Sequence, residues 1–211
     1  MLSPAPIIEL VRRRLARAAP PREDLVARHA AGRSFADIGC MWSVHGALAF
    51  AAEEAGATQV TGMDVMAPTP AFEAEHARRG STVRFVQGDV HDEAALAQVG
   101  VHDVVWCSGV LYHAPHPLLT LERLRSITGS TLILGTEAAG EARGRPRTMI
   151  FAPEPGSHPA HTEPFAPERG YVNWYWGITP SALRAMLAAS GFAVIEEHRT
   201  PFHVTAVARA V

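Results

Sequence analysis

Residues 34–63, SFADIGCMWSVHGALAFAAEEAGATQVTGM, read as strand, glycine turn, helix and second strand, and the next residue is Asp64. Phe35, Ala36 and Ile38 make a short buried strand. Gly39 follows where the chain must turn sharply and bring its backbone close to a ligand. Leu48, Ala49, Ala52 and Ala55 recur at helical spacing, and Gly56 stops the helix. Gln59 to Met63 form the second strand, which sets Asp64 at its carboxyl end. Such a unit suits a nucleotide-type cofactor, because the acid can accept hydrogen bonds from both hydroxyls of a ribose at roughly 20 residues beyond the glycine. Only Gly46 follows in the turn, with Met41 and Ser43 where further glycines would ease close approach. An ordinary α/β unit, with Asp64 ending a strand or capping the next helix, is the alternative.

A chain of 211 residues with 47% hydrophobic content suits one well-packed domain. The formal charge is -2 and all 19 basic residues are arginine, which excludes a wholly basic surface. Arg12, Arg13, Arg14 and Arg17, and again Arg143, Arg145 and Arg147, read first as solvated faces and second as phosphate contacts. Cys40 and Cys107 each end a predicted buried strand, and the chain shows neither a signal peptide nor a long apolar span. Free thiols in a cytoplasmic protein, without a membrane segment, are therefore expected rather than a disulfide.

Alternation continues beyond the cradle. Helices are predicted over Pro70–Arg79, His91–Gln98 and His116–Ser126, and strands over Thr82–Val86, His102–Cys107 and Ser130–Thr136. This pattern predicts an α/β, Rossmann-like doubly wound sheet of about seven strands, mostly parallel with helices on both faces. Thr179 and Pro180 start a helix that Gly191 ends, and Phe192–Glu196 and His203–Ala208 close the chain as an antiparallel hairpin at the sheet edge. Before the cradle, Ile7–Arg17, with Ile7, Leu10, Val11 and Leu15 on one face, and Leu25–Ala31 predict a helical cap. The organisation expected is a single domain: cap 1–33, cofactor core 34–137, substrate-side insertion 138–178, and C-terminal helix and hairpin 179–211. The stretch from Glu137 to Gly177 has no clear period, and a connection that long is usually functional.

Ligands of such sheets bind beyond the carboxyl ends of the strands. Gly39 and Cys40, Asp64 and Val65, Gly88, Asp89 and Val90, Ser108 to His113, and Thr136 and Glu137 lie there. Asp89 can accept from an adenine amino group while the backbone N–H of Val90 donates to a ring nitrogen; alternatively Asp89 caps the following helix.

The segments DIGC, VTGMDV, VQGDV and DVVWCSGVLYH resemble the successive motifs of class I S-adenosylmethionine-dependent methyltransferases. SGVLYH and VNWYWGITPSALRAMLAASGF are similar to segments of the branch holding the tRNA wobble-uridine methyltransferases and their bacterial small-molecule relatives. The resemblance spans roughly Ser34 to Val211. It implies a Rossmann-like fold with S-adenosyl-L-methionine as cofactor. Asp37 and Gly39 would hold the methionine end, Asp64 the ribose, and Asp89 and Val90 the adenine, with Ser108 beside the cofactor. Trp42, in the glycine-poor turn, offers a face for stacking near the sulfonium. The wobble-uridine group uses a carboxylated cofactor and an added N-terminal domain. Here PFHVTAVARA has His203 at the position where an arginine would meet that carboxylate, so ordinary S-adenosylmethionine is expected.

Methyl transfer is an in-line displacement, in which the protein mainly aligns the groups and removes a proton from a neutral acceptor. His113 is the first candidate base and Tyr112 a positioning group, although the structural alternative, His113 helping to start the following helix or hydrogen-bonding the turn, is the commoner role for such a residue. Glu137 and His203 are secondary candidates, as an exposed strand end and a pocket wall. Trp174, Tyr175 and Trp176 either wall an acceptor pocket or pack as a lid. His158 and His161, with Glu163 nearby, have spacing that could bind zinc but lack a third strong ligand, so no metal is expected. The expected partner is a small-molecule methyl acceptor, with nucleic acid disfavoured by the near-neutral charge. The alternatives are tRNA methylation and S-adenosylmethionine binding without catalysis.

Overall fold

The computed structural model describes residues 20–141, 144, 146–151, 176–200 and 202–211. In chain order these form α1 (Arg22–Ala30), β1 (Ser34–Ile38), α2 (Ala47–Glu54), β2 (Gln59–Asp64), α3 (Pro70–Arg79) and β3 (Arg84–Gln87). There follow α4 (Glu93–Val99), β4 (His102–Ser108), a 3-10 turn (Leu111–His113), α5 (Pro117–Ile127) and β5 (Thr128–Glu137). β6 (Met149–Phe151), β7 (Trp176–Ile178), α6 (Pro180–Ala189), β8 (Phe192–Arg199) and β9 (His203–Ala210) complete the order.

Seven strands make the main sheet in the order β3-β2-β1-β4-β5-β9-β8. β1 to β5 run parallel, and β9 lies antiparallel between β5 and β8. Strand order reverses between β1 and β4, which opens a crevice at their carboxyl ends. Side chains alternate across the sheet, so neighbouring residues serve different cores. Ala36, Ile38, Val105, Cys107, Leu132 and Leu134 pack with Leu96, Leu121, Leu124, Leu183 and Leu187 from α4, α5 and α6. Phe35, Val104, Trp106, Ile133 and Val207 pack on the other face with Leu25, Val26, Leu48, Phe50 and Phe72 from α1, α2 and α3. Helix starts follow the expected chemistry: the hydroxyls of Thr69 and Thr179 accept from the backbone N–H of Phe72 and Ala182, each at 3.2 Å, and each helix opens on a proline.

The corrections are local. The strand predicted over Thr82–Val86 is β3, Arg84–Gln87, because the Thr82 N–H donates to the Glu53 carboxylate at 2.7 Å and the Val83 N–H to Ser81 Oγ at 3.2 Å. The helix predicted from His91 starts at Glu93, and its cap is Asp92, whose carboxylate accepts from the Ala94 N–H at 2.9 Å; Asp89 does not cap it. The aperiodic stretch contributes β6 and β7, which pair antiparallel as a separate two-stranded sheet. The helix predicted over Ile7–Arg17 and the set His158, His161 and Glu163 lie outside the described residues. Cys40 and Cys107 are free and buried. Among the described residues, no helix is long and apolar enough to cross a membrane.

Candidate active site

Gly39 turns β1 into the crevice with φ +83°. A Cβ there would stand 2.6 Å from Val110 Cγ2 and 3.1 Å from the Ser108 carbonyl oxygen, so a side chain would be both strained and blocked. The Gly39 N–H donates to the Met63 carbonyl at 2.8 Å, tying the turn to β2. In the loop that follows, Ser43 has φ +58°, His45 +46° and Gly46 +76°. The path demands left-handed backbone even where the sequence lacks glycine. Met41 is buried, and Trp42 is 69% exposed.

Asp37 is 2% exposed and lies at the start of α2. Gly46 gives that helix no side-chain cap, and the Ala49 N–H in its first turn donates to the Asp37 carboxylate instead. The second oxygen, Oδ2, is buried without a partner. Burial pushes the Asp37 carboxyl up to about 7; the Ala49 N–H opposes this, the Asp64 charge adds to it, and Arg22 at the start of α1 opposes it. An orphaned buried oxygen beside a glycine turn fits a cationic group such as an ammonium.

Asp64 ends β2, nearly buried. Its Oδ2 accepts from the Met41 N–H at 2.7 Å and its Oδ1 from the Met66 N–H at 2.9 Å. The carboxylate is thereby fixed in place, and each oxygen keeps a further lone pair for a diol. Val65 beyond it is exposed, and its carbonyl accepts from Gln87 Nε2 at 3.2 Å. Gly88 is a packing requirement, since a Cβ would stand 2.5 Å from Ala95 Cβ. Asp89 Oδ1 accepts from the His91 N–H at 2.8 Å, and Val90 is buried. Cys40 is buried with its thiol pushed up by burial, so its side chain serves the core. Sequence reasoning missed Arg22, and also His91, whose Nε2 lies 2.9 Å from Thr120 Oγ1 and so joins the loop after β3 to α5.

Over β4, β5 and β9 the site has another character. Ser108 pairs beside Gly135, and Glu137 lies across from His203. A Cβ on Gly135 would stand 2.7 Å from Ser108 Oγ and 3.2 Å from His203 Cε1, so hydroxyl and imidazole converge over that glycine. Burial pushes His203 below the usual histidine value, and Arg22 adds to the effect. Tyr112 and His113 sit on the 3-10 turn with ring centroids 4.2 Å apart. Trp176 Nε1 donates to the Ala114 carbonyl at 3.0 Å and packs on Phe151 at 4.8 Å, which pins the small sheet above that turn. Trp174 and Tyr175 lie outside the described residues.

Residues 36–130 match the family model of the methyltransferase domain. Over these residues the chain carries a methyltransferase domain. Solved structures share the methyltransferase fold over nearly the whole chain. The N-terminal domain of EvdMO1 with S-adenosylhomocysteine bound is 20% identical with TM-score 0.68, covering 92% of this chain and 82% of that one. The Burkholderia thailandensis 1,6-didemethyltoxoflavin-N1-methyltransferase, with its acceptor and S-adenosylhomocysteine bound, is 17% identical with TM-score 0.67, covering 100% and 92%. The [4+2]-cyclase SpnF is 16% identical with TM-score 0.64, covering 89% and 80%. No curated protein matches the chain by sequence.

Proposed function

We propose that this methyltransferase acts on an apolar small molecule by in-line displacement. The observation that carries the reading is the rim of the crevice, where Trp42, Val65, Met66, Ile150, Phe151 and Phe202 are the exposed large side chains. A rim of that composition suits an apolar ligand, whereas a nucleic acid calls for cations against its phosphates.

In this account Asp37 and Gly39 hold the methionine end of S-adenosylmethionine, Asp64 the ribose, and Asp89 and Val90 the adenine. The cofactor, when bound, supplies an electrophilic methyl group. Ser108 lies between the cofactor and acceptor sides, while Tyr112, His113, Glu137, Trp176 and His203 face the acceptor. The domain organisation we favour keeps 34–137 as the cofactor core and 138–178 as the acceptor-side insertion. The two free, buried thiols support a cytoplasmic setting.

Incubation with radiolabelled S-adenosylmethionine and a panel of phenols and N–H heteroaromatics tests the proposal. Label should pass to at least one acceptor and to no tRNA; transfer to tRNA alone would replace the small-molecule reading with RNA methylation. A second reading, cofactor binding without methyl transfer, is favoured by Asp64, whose two oxygens already accept from backbone, Oδ2 from Met41 in the glycine-poor turn and Oδ1 from Met66 just after β2. Tight binding without any transfer would select it.

A further inference from the structure

The acceptor side contains two histidines in different situations. The His113 ring packs against Tyr112. The His203 ring is mostly buried at the mouth and makes no hydrogen bond among the described residues. His203 faces the same point above Gly135 as Ser108 Oγ. The Ser108 carbonyl in turn lies against the position that a side chain on Gly39 would occupy. Ser108 thus spans the short distance from the cofactor turn to the imidazole. Glu137 occupies the antiparallel position directly across from His203, so the two residues project from the same face.

We propose that His203, at the start of β9, is the catalytic base that receives the acceptor's proton. This inference rests on the small-molecule methyl-transfer reading above. In the step, a lone pair on the acceptor oxygen or nitrogen forms a bond to the methyl carbon while the carbon–sulfur bond breaks toward sulfur. The sulfonium charge disappears, and the proton released by the acceptor passes to the open ring nitrogen of His203. The imidazolium so formed carries the positive charge and later yields its proton to water.

Burial disfavours the imidazolium of His203 most, and Arg22 on α1 adds to it, so the resting ring is held below the usual histidine value. Glu137 on β5 lies directly across the strand pair from His203. His198, on the neighbouring strand β8, is engaged by Glu196 at 2.6 Å and is not available as an alternative. A base held neutral near pH 7 is the form able to accept a proton.

The test compares wild type with His203→Gln, a substitution that keeps a polar side chain of similar size. Calorimetric binding of S-adenosylhomocysteine should change less than threefold. Turnover of acceptors neutral at the assay pH should fall about 100-fold, the lower end of what general-base catalysis contributes. Acceptors already ionised, such as 4-nitrophenol above neutral pH, should lose less than fivefold. In wild type kcat should rise with pH as the imidazole loses its proton, and that rise should vanish in the variant. Independently of turnover, the imidazole proton resonance assigned by its loss in the variant should titrate below 6.5, the ordinary histidine value. Equal losses on neutral and ionised acceptors, full activity in the variant, or a ring protonated at neutral pH would each overturn the role of His203. Wild type that binds the cofactor yet methylates nothing would overturn the catalytic reading of the site and the base with it.

Discussion

The two halves of the crevice differ in how their polar groups are spent. On the β1–β2–β3 side the acids are largely committed to backbone: Asp64 to Met41 and Met66, Asp89 to His91, and one oxygen of Asp37 to Ala49. On the β4–β5–β9 side, Ser108 and His203 converge over a glycine, and Ile150, Phe151 and Phe202 are exposed on the segments that follow β5 and precede β9. The first half is arranged before any ligand arrives, as recognition of one fixed cofactor requires. The second gathers side-chain rather than backbone-bound polar groups beside exposed apolar ones, as a pocket for a small acceptor does.

Disturbing the Gly39 turn should break this contrast with the largest effect. In Gly39→Val the new side chain meets Val110 and the Ser108 carbonyl at a positive φ, and both halves lose their shared boundary. Overpacking of this kind typically costs about 1–3 kcal/mol, and the left-handed backbone adds about 1–2 kcal/mol. Urea denaturation should show a loss of at least roughly 2 kcal/mol on that basis, together with loss of S-adenosylhomocysteine binding; wild-type stability would show that the turn has room.

A smaller effect sharpens the comparison at Asp37. Its folded pKa, about 7, lies above the usual 3.8, so the folded state holds this proton more tightly than the unfolded chain. The stability that the protonated carboxyl contributes is full below the unfolded value and is lost as pH rises through about 7. The loss approaches about 1.4 kcal/mol per pH unit between the two values. His29, His91, His102 and His203 have lowered pKa values and act oppositely, losing stability as pH falls below 6.5. The difference between wild type and Asp37→Asn, measured by denaturation at pH 5 and pH 8, isolates the carboxyl. The variant should gain relative to wild type as pH rises, and parallel curves would contradict the assignment.

The halves also differ in how far the sequence discloses them. Ile38-Gly39 and Met63-Asp64 each set a chemically distinctive residue after an apolar run, so the cofactor side is readable from pattern alone. The Met41 and Met66 amides that fix Asp64 are backbone groups, which any residue supplies, and leave no trace in composition. Arg22 reaches the site by tertiary packing of α1, nowhere near it in sequence. β6 and β7 are three residues each, too short for period-two alternation to show. The last residues of β8 escape a hydrophobic reading because they form a charged edge, with Glu196 held by Arg28 and His198, and Glu197 by Arg184. The convergence over Gly135 depends on the lateral order β4-β5-β9, which no local pattern specifies.

The most direct test of the account is calorimetric titration of S-adenosylhomocysteine into wild type and Asp64→Ala. Wild type should bind at a single site and the variant at least tenfold more weakly, roughly 1.4 kcal/mol or more, because the ribose acceptor and the tether of Met41 are removed together. Absence of heat with wild type, or equal affinity in the two proteins, would contradict it.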